Sequence, residues 1–192
     1  MRLPTFNTGR AAVFWNVLLD AARCSEEERP NRPIHLISPY ISDIPLSLCR
    51  WSDDALRPII GGLQDLRLSS VLSLFASLGH PVCVSTLSPS GNHIRAGPEH
   101  LQRHADFAAL THGVRFEVID NLHLKAVLTR DAATGGSANL TINGLVRSVE
   151  NITVQWRGSE EYTQLLRSGF EAIQTWATPA DRVVLCPPDW LA

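Results

Sequence analysis

The amino-acid sequence predicts a single α/β domain in which a mixed sheet is covered by helices on both faces. Short apolar segments of strand length alternate with segments whose apolar residues recur at helical spacing. The chain has 192 residues, of which 44% are apolar and 19% are charged, a composition typical of a globular domain with a sizeable core. We find no internal repeat and no linker, and therefore expect one domain over residues 1–192.

Each predicted element carries a local signal. Helices are marked by Ser or Pro at the start and Gly at the end, and strands are short runs rich in β-branched residues. An irregular stretch over 43–68 contains two prolines and a Gly-Gly pair, and a loop of that length is usually functional or a dimer contact. The predicted elements are a helix over 11–23, a strand over 35–41, a helix capped by Ser69 and Ser70 and closed by Gly79, a strand over 81–87, a helix over 98–113, strands over 114–119 and 122–129, a turn over 132–136, a strand over 150–155 and a helix beginning at Ser159.

The net charge, hydropathy and cysteine content argue against several classes of protein. The net charge of −2 argues against a strongly basic nucleic-acid coat, although basic residues cluster between 93 and 130, where a binding patch and an ordinary solvated surface both remain open. No apolar stretch is long enough to span a membrane, and no secretory signal is evident. The cysteines are scattered without a CxxC pair, which favours a reducing cytoplasm and argues against a disulfide framework or zinc site: Cys24, Cys49, Cys83 and Cys186.

The basic residues are unusual in kind. Sixteen of the 17 are arginine, so Lys125 is the only lysine in the chain. A compact ammonium and a flat guanidinium fork are not equivalent at a tight site. A single lysine can remain by chance, but the position of Lys125 favours the interpretation that an ammonium is needed there.

The segment from His123 to Asn139 has the residue types that bind a phosphodiester. On a strand, His123 and Lys125 would share one face, which places a nitrogen nucleophile beside a fixed positive charge. After the predicted turn, Ser137 and Asn139 would share a face of a neighbouring strand and donate hydrogen bonds to phosphate oxygens. Each piece alone is weak, because an HxK pair arises by chance and Gly-Gly-Ser is commonly a hairpin turn. Their combination is the signal.

The pattern HxK, then GSxNxT, then a Glu eleven residues after that Asn, resembles the phospholipase D-like superfamily. The resemblance covers roughly residues 34–176 and is closest to short bacterial endonucleases with one motif per chain. It implies that His123 is the nucleophile or its partner acid, that Lys125, Ser137 and Asn139 bind phosphate, and that Glu150 hydrogen-bonds the far nitrogen of His123. The family usually has Asp five residues after the Lys; that position is Arg130 here, with Asp131 next to it.

The resemblance also implies an assembly and a substrate class. With one motif per chain, two histidines require a homodimer whose twofold axis runs through the site, and neither a metal nor another cofactor is expected. Nucleic acid is the first expected substrate; phospholipid is a second, and a non-catalytic subunit that binds a phosphate backbone is a third. The chain is similar in size and motif to the DpdK-type proteins, which accompany gene clusters for 7-deazaguanine modification of DNA and phage defence.

Overall fold

The computed structural model describes residues 9–21, 23–45, 67–87, 105–120, 122–147 and 150–176. These residues form three helices of ten residues or more and six strands. In chain order the elements are α1 (Gly9–Asp20), a 3₁₀ helix (Glu26–Asn31), β1 (Ile34–Ile37), α2 (Leu68–Ser77), β2 (Val82–Leu87), a helical segment over 105–109, β3 (Arg115–Ile119), β4 (Ala126–Leu128), β5 (Ala132–Gly136), a π-helical turn (Asn143–Arg147), β6 (Ile152–Trp156) and α3 (Glu160–Trp176).

The six strands form one mixed sheet in the order β3-β2-β1-β4-β5-β6. The half made of β1, β2 and β3 is parallel. The half made of β4, β5 and β6 is antiparallel and joins the first half through the antiparallel pair β1 and β4. The predicted mixed sheet is confirmed.

Helices cover both faces of the sheet. Alternate residues of β1 point to opposite faces, so Leu36 packs with α1 and α2 in one core, whereas Ile37 packs with α3 in the other. Two separate apolar clusters result, one on each face, as the alternation of helices and strands predicted. No helix in the described ranges is long and apolar enough to cross a membrane.

Helix α2 ends as predicted and begins differently. Gly79, at φ +98°, follows the helix, and the amides of Gly79 and His80 donate to the carbonyls of Ala76 and Phe75, which is a Schellman motif. At the other end Ser69 and Ser70 do not cap the helix. Asp43 does so from a distant loop, since its Oδ1 accepts a 2.9 Å bond from the Ser69 amide. The prediction was wrong because the cap comes from a residue 26 positions away.

The turn predicted over residues 132–136 is strand β5, and this expectation is corrected. The chain reverses at 129–131 instead, where the Thr129 amide and hydroxyl both bond to Ala132 O, at 2.9 and 2.8 Å. The sequence Ala-Ala-Thr-Gly-Gly resembles a turn because its residues are small. They are small because the strand lies between two helices: a Cβ on Gly135 would lie 3.2 Å from the Leu165 side chain of α3.

Hydrogen bonds from three other parts of the chain hold the turn between β4 and β5 in place. The buried Tyr162 hydroxyl of α3 donates to Thr129 O at 2.9 Å and to Arg130 O at 2.5 Å. Asp131 is bonded to the Arg32 guanidinium, and its carbonyl accepts a 2.9 Å bond from the Arg157 amide. Arg130 and Asp131 are therefore linked to α3, to Arg32 just before β1 and to Arg157 just after β6.

Some expectations lie outside the described residues. They include most of the loop over 43–68, the start of the helix over 98–113 and much of the basic cluster between 93 and 130. The last predicted helix begins where expected, because Ser159 Oγ accepts a 3.1 Å bond from the Tyr162 amide.

Candidate functional site

The sheet topology brings the predicted site residues to one edge. In an antiparallel pair, the start of one strand lies beside the end of the other, and the register pairs Ala126 with Gly135 and Gly136 with Ile152. The segment before β4, the segment after β5 and the segment before β6 therefore meet. His123 and Lys125 lie in the first, Ser137 and Asn139 in the second, and Glu150 in the third.

His123 and Lys125 precede β4 in a segment without regular secondary structure, whereas the sequence placed them on the strand itself. The strand is shorter than predicted and begins at Ala126. The His123 side chain is exposed and that of Lys125 is partly buried. Lys125 Nζ donates a 2.7 Å hydrogen bond to the carbonyl of His123, so the ammonium is held back against the histidine's own main chain.

Ser137 and Glu150 form a direct contact at this edge. Ser137 Oγ donates to Glu150 Oε2. The same hydroxyl accepts a 3.1 Å bond from the Asn151 amide, while the Ser137 amide donates to Asn151 O at 3.0 Å. Ser137 and Asn139 follow β5 and do not lie on a strand, which corrects the sequence prediction. The bond from Glu150 to the His123 ring stays a prediction.

Lys125 and Glu150 are close enough to influence one another. Burial lowers the pKa of the Lys125 ammonium, and the Glu150 carboxylate partly opposes that shift. An ammonium that is partly stripped of water interacts more strongly with an added anion than one in bulk solvent does. Through Glu150, the sole lysine and the Ser137 hydroxyl thus belong to one electrostatic group.

Asn139 has an unused polar atom. Its Oδ1 is buried and has no hydrogen-bond partner within the part of the chain that the structure describes. Its backbone is occupied, because Asn139 O accepts a 2.8 Å bond from the Thr141 amide. A buried polar atom without a partner is uncommon and calls for an explanation, and a side-chain amide can offer two donors or an acceptor to a ligand.

Ser38 supports the site and was missed by the sequence analysis. It follows β1, is buried, and its hydroxyl accepts a 3.1 Å bond from the Leu140 amide while donating to Tyr40 O at 2.6 Å. Ser42 adds a backbone bond from its amide to Leu140 O, at 2.9 Å. The loop after β1 therefore holds the chain next to Asn139. The serine in "ISPYI" was the available signal, but its partner is 102 residues away.

Two glycines allow the close approach of main chains here. A Cβ on Gly136, at φ +155°, would lie 2.0 Å from Asn151 O, and a Cβ on Gly144 would lie 2.3 Å from Asn139 O. Neither separation is sterically tolerable, so each position requires glycine unless the backbone moves. The sequence analysis placed Gly136 in a turn, whereas its function is to let the entry to β6 approach the end of β5.

A second polar cluster lies away from this edge, on the face of β1, β2 and β3 that His35 shares with Ile37. His35 Nε2 lies 2.7 Å from Ser85 Oγ, and that hydroxyl donates to Glu117 Oε2 at 3.0 Å. Burial, and secondarily the Arg115 charge, lowers the pKa of His35 to about 3, while burial raises the pKa of Cys83. His35, Cys83 and Glu117 make up the one group within the described ranges whose ligand atoms are close enough to hold a metal.

Comparisons with known proteins gave structural matches alone. No family model matches the chain, and no curated protein does. A polyphosphate kinase from Porphyromonas gingivalis is similar over 88% of this chain and 25% of its own, with 15% identity and a TM-score of 0.50. Nuc from Salmonella typhimurium, a phospholipase D family member, is similar over 84% and 87%, with 15% identity and a TM-score of 0.48. NucT from Helicobacter pylori is similar over 83% and 91%, with 11% identity and a TM-score of 0.46.

These similarities concern the fold. The chain spans about a quarter of the polyphosphate kinase chain, and the likeness shows that its sheet and helices are arranged as in a part of that larger protein. The α/β fold class expected from the sequence is thereby supported by a solved structure.

Proposed function

We propose that this protein is a metal-independent phosphodiesterase of the phospholipase D type, which cleaves nucleic acid at a site shared by two copies of the chain. The observation that carries the proposal is the group at the sheet edge: the sole ammonium of the chain, bonded to the backbone of an exposed histidine and electrostatically linked to Glu150, which Ser137 contacts. Enzymes of this type need a nitrogen nucleophile beside phosphate-binding donors.

Lys125, Ser137 and Asn139 are assigned to phosphate binding. The ammonium supplies a compact positive charge, and the hydroxyl and amide supply neutral donors for the non-bridging oxygens. Because Lys125 is partly buried, its attraction for a phosphate is screened less than that of a surface lysine. The Asn139 side-chain NH2 can donate to a phosphate oxygen, whereas its buried Oδ1 is an acceptor and needs a donor other than the phosphate.

His123 is assigned as nucleophile and acid. Its exposure leaves the ring accessible to a substrate. In the first step a His123 nitrogen attacks phosphorus, a P–N bond forms, the P–O bond to the leaving group breaks, and the leaving oxygen takes a proton from a second histidine. In the second step that histidine takes a proton from water, the hydroxide attacks phosphorus, and the P–N bond breaks to release a phosphomonoester.

Glu150 is assigned to support of the histidine. A carboxylate on the far ring nitrogen would fix the tautomer and stabilise the imidazolium that forms in each step. In the state described here its Oε2 accepts from Ser137. We infer that Glu150 loses this bond when the Ser137 hydroxyl donates its single proton to phosphate, which allows the carboxylate to accept from the far ring nitrogen of His123.

The second histidine comes from a second copy of the chain. One chain carries a single HxK set, and the chemistry requires one histidine to attack while another protonates. A twofold axis beside the sheet edge would bring the two His123 side chains to one phosphate.

Nucleic acid is the preferred substrate, on the resemblance of the motif to single-motif endonucleases. A subunit that binds a phosphate backbone without cleaving it, in a complex of the DpdK type for DNA modification or defence, is the alternative. The observation that favours it is Arg130, which occupies the position of the family's usual aspartate. Phospholipid hydrolysis is the remaining alternative.

The deciding assay incubates the protein with single-stranded DNA, duplex DNA, RNA and phospholipid vesicles in EDTA. We expect cleavage of nucleic acid, abolished in His123→Asn and strongly reduced in Lys125→Arg, because a guanidinium fork does not replace a compact ammonium. His112→Asn is the matched control, since His112 is an exposed histidine away from the site. EDTA-resistant turnover in His123→Asn would overturn the mechanism. Binding of DNA without cleavage by the unmodified protein would favour the non-catalytic alternative.

The shared site has its own test. Light scattering should give about twice the 21.2 kDa chain mass. When unmodified and His123→Asn chains are co-refolded in varying proportions, activity should fall as the square of the unmodified fraction, because both histidines of a site must be intact. A linear decline would show that each chain carries a complete site.

A further inference from the structure

The buried polar cluster of His35, Cys83 and Glu117 has no part in the proposed reaction, yet it has the composition of a metal site. The register places His35 opposite Cys83, and Glu117 opposite Ser85 on the next strand. Because side chains two apart on a strand share a face, all four side chains lie on the same face of three adjacent parallel strands.

The distances and burial are those of a compact donor set. The ligand atoms of His35, Cys83 and Glu117 lie within 4.8 Å of one another. Their residues are 5%, 8% and 4% exposed. Around a tetrahedral zinc ion, neighbouring ligand atoms lie roughly 3.3–3.8 Å apart, given Zn–N, Zn–O and Zn–S bonds of about 2.0–2.3 Å. Small rotations of the three side chains would close the remaining gap.

The donor types also agree with zinc. Imidazole nitrogen, thiolate sulfur and carboxylate oxygen are the three protein ligands that zinc takes, and a fourth position is needed for a tetrahedron. Ser85 Oγ already lies between two of the ligands, at 2.7 Å from His35 Nε2 and 3.0 Å from Glu117 Oε2. Because the Ser85 hydroxyl donates its proton to Glu117, Nε2 carries the hydrogen of the His35 contact. Zinc binding at Nε2 would move that hydrogen to Nδ1 and break the contact, which leaves Ser85 as an outer partner of Glu117.

An ordinary hydrogen-bonded network is the competing explanation. Ser85 links His35 to Glu117, and the Arg115 guanidinium lies 2.9 Å from Glu117 Oε1 as an ion pair. That network accounts for His35 and Glu117. Cys83 joins this network, because its thiol is also hydrogen-bonded to Glu117 and Ser85, whereas Glu117 Oε1 makes no well-aligned hydrogen bond within the described part of the chain.

We propose that His35, Cys83 and Glu117 bind a structural zinc ion on one face of the sheet, apart from the phosphate site. Binding replaces the S–H bond of Cys83 by an S–Zn bond, and the thiol proton leaves to solvent. The two anionic ligands then offset the dipositive ion, and the Arg115 guanidinium that is paired with Glu117 leaves one positive charge beside the site. The ion would tie β1, β2 and β3 together, on the parallel half of the sheet whose β1 leads into the Ser38 loop.

The test uses the full chain without an affinity tag, first stripped with chelator and then titrated with zinc or cobalt(II). We expect one metal per chain by elemental analysis, a rise in melting temperature on zinc addition, and a thiolate-to-cobalt charge-transfer band. Cys83→Ala should lose the band and weaken metal binding at least about 100-fold, since even outer partners of zinc sites cost 10–100-fold. Cys24→Ala is the matched control, because Cys24 is a free cysteine outside the cluster and should bind as the unmodified chain does.

Two results would overturn the proposal: no stoichiometric binding by the unmodified chain, or an unchanged charge-transfer band in Cys83→Ala. Should Cys83→Ala fail to fold, X-ray absorption of the zinc-loaded unmodified chain decides, with one sulfur and otherwise nitrogen or oxygen ligands expected. More than one sulfur would place the metal elsewhere. Circular dichroism during EDTA assays separates loss of a structural ion, which would change the fold, from an effect on the chemistry.

Discussion

Removing the Tyr162 hydroxyl tests whether its hydrogen bonds to the turn between β4 and β5 stabilise the fold. Tyr162 is 3% exposed, and its hydroxyl donates to Thr129 O and Arg130 O. Burial raises the pKa of the phenol, so it remains a protonated donor throughout the usual pH range. Tyr162→Phe keeps the ring and its packing while deleting this donor.

The expected cost follows from the loss of a donor to two carbonyls. A typical hydrogen bond contributes about 1 kcal/mol net, and leaving a buried acceptor without its partner costs about 1–3 kcal/mol. We therefore expect the free energy of unfolding to fall by about 2 kcal/mol. With a urea m-value of about 2 kcal/mol/M for a domain of this size, the unfolding midpoint should move down by about 1 M.

The assay is urea unfolding followed by circular dichroism, with catalytic turnover measured in parallel. Ser77→Ala is the control, since it deletes an exposed hydroxyl that donates to Leu74 O at 2.7 Å, and such surface changes cost about 0.5 kcal/mol or less. Turnover of folded Tyr162→Phe should be unchanged, because the turn lies at the end of β4 opposite His123 and Lys125. Equal losses of unfolding free energy in Tyr162→Phe and Ser77→Ala would show that the Tyr162 hydrogen bonds to the turn do not stabilise the fold. A selective loss of turnover would instead connect Arg130 and Asp131 with the chemistry.

Three further changes test the architecture around the site. Gly136→Ala would place a Cβ 2.0 Å from a main-chain oxygen at the entry to β6, so it should disrupt the site and strongly destabilise the protein. The control is Gly158→Ala, whose Cβ meets open space and which costs about 1–2 kcal/mol of left-handed strain. Equal melting temperatures for the two variants would contradict this expectation. Ser38→Ala removes the acceptor of the Leu140 amide and should lower the free energy of unfolding in urea by about 1–3 kcal/mol. It should also weaken phosphate binding as measured by calorimetry. Unaltered phosphate affinity would show that the loop after β1 does not support the site. Burial lowers the pKa of His80, as it does that of His35, so the unfolded state binds protons that the native state resists, and stability present above the unfolded pKa of about 6.5 declines as the pH falls below it. His80→Gln should make that decline shallower while the His35 contribution remains. Identical pH profiles for the variant and the unmodified chain would show that His80 does not contribute.

The sequence by itself determined those features that depend on neighbouring residues. The alternation of elements predicted a mixed sheet with helices on both faces, which the structure has. Gly79 predicted the end of α2, because a left-handed residue after a helix is a local requirement. Ser159 predicted the start of α3 for a similar reason, as its hydroxyl needs to reach an amide only three positions ahead.

Tertiary structure decided whatever depends on contacts between distant residues. The small residues of β5 indicate a turn until α1 and α3 are packed against the strand, when small size becomes a condition of packing. Asp43 caps α2 and Ser38 holds Leu140 across 26 and 102 positions, respectively, and no local pattern encodes such partners. The grouping of His35, Cys83 and Glu117 likewise exists because three parallel strands lie side by side. The spacing of residues along the chain predicts a group of metal ligands when one helix or strand carries all of them. A group spread over three strands can be recognised only when the register of those strands is known.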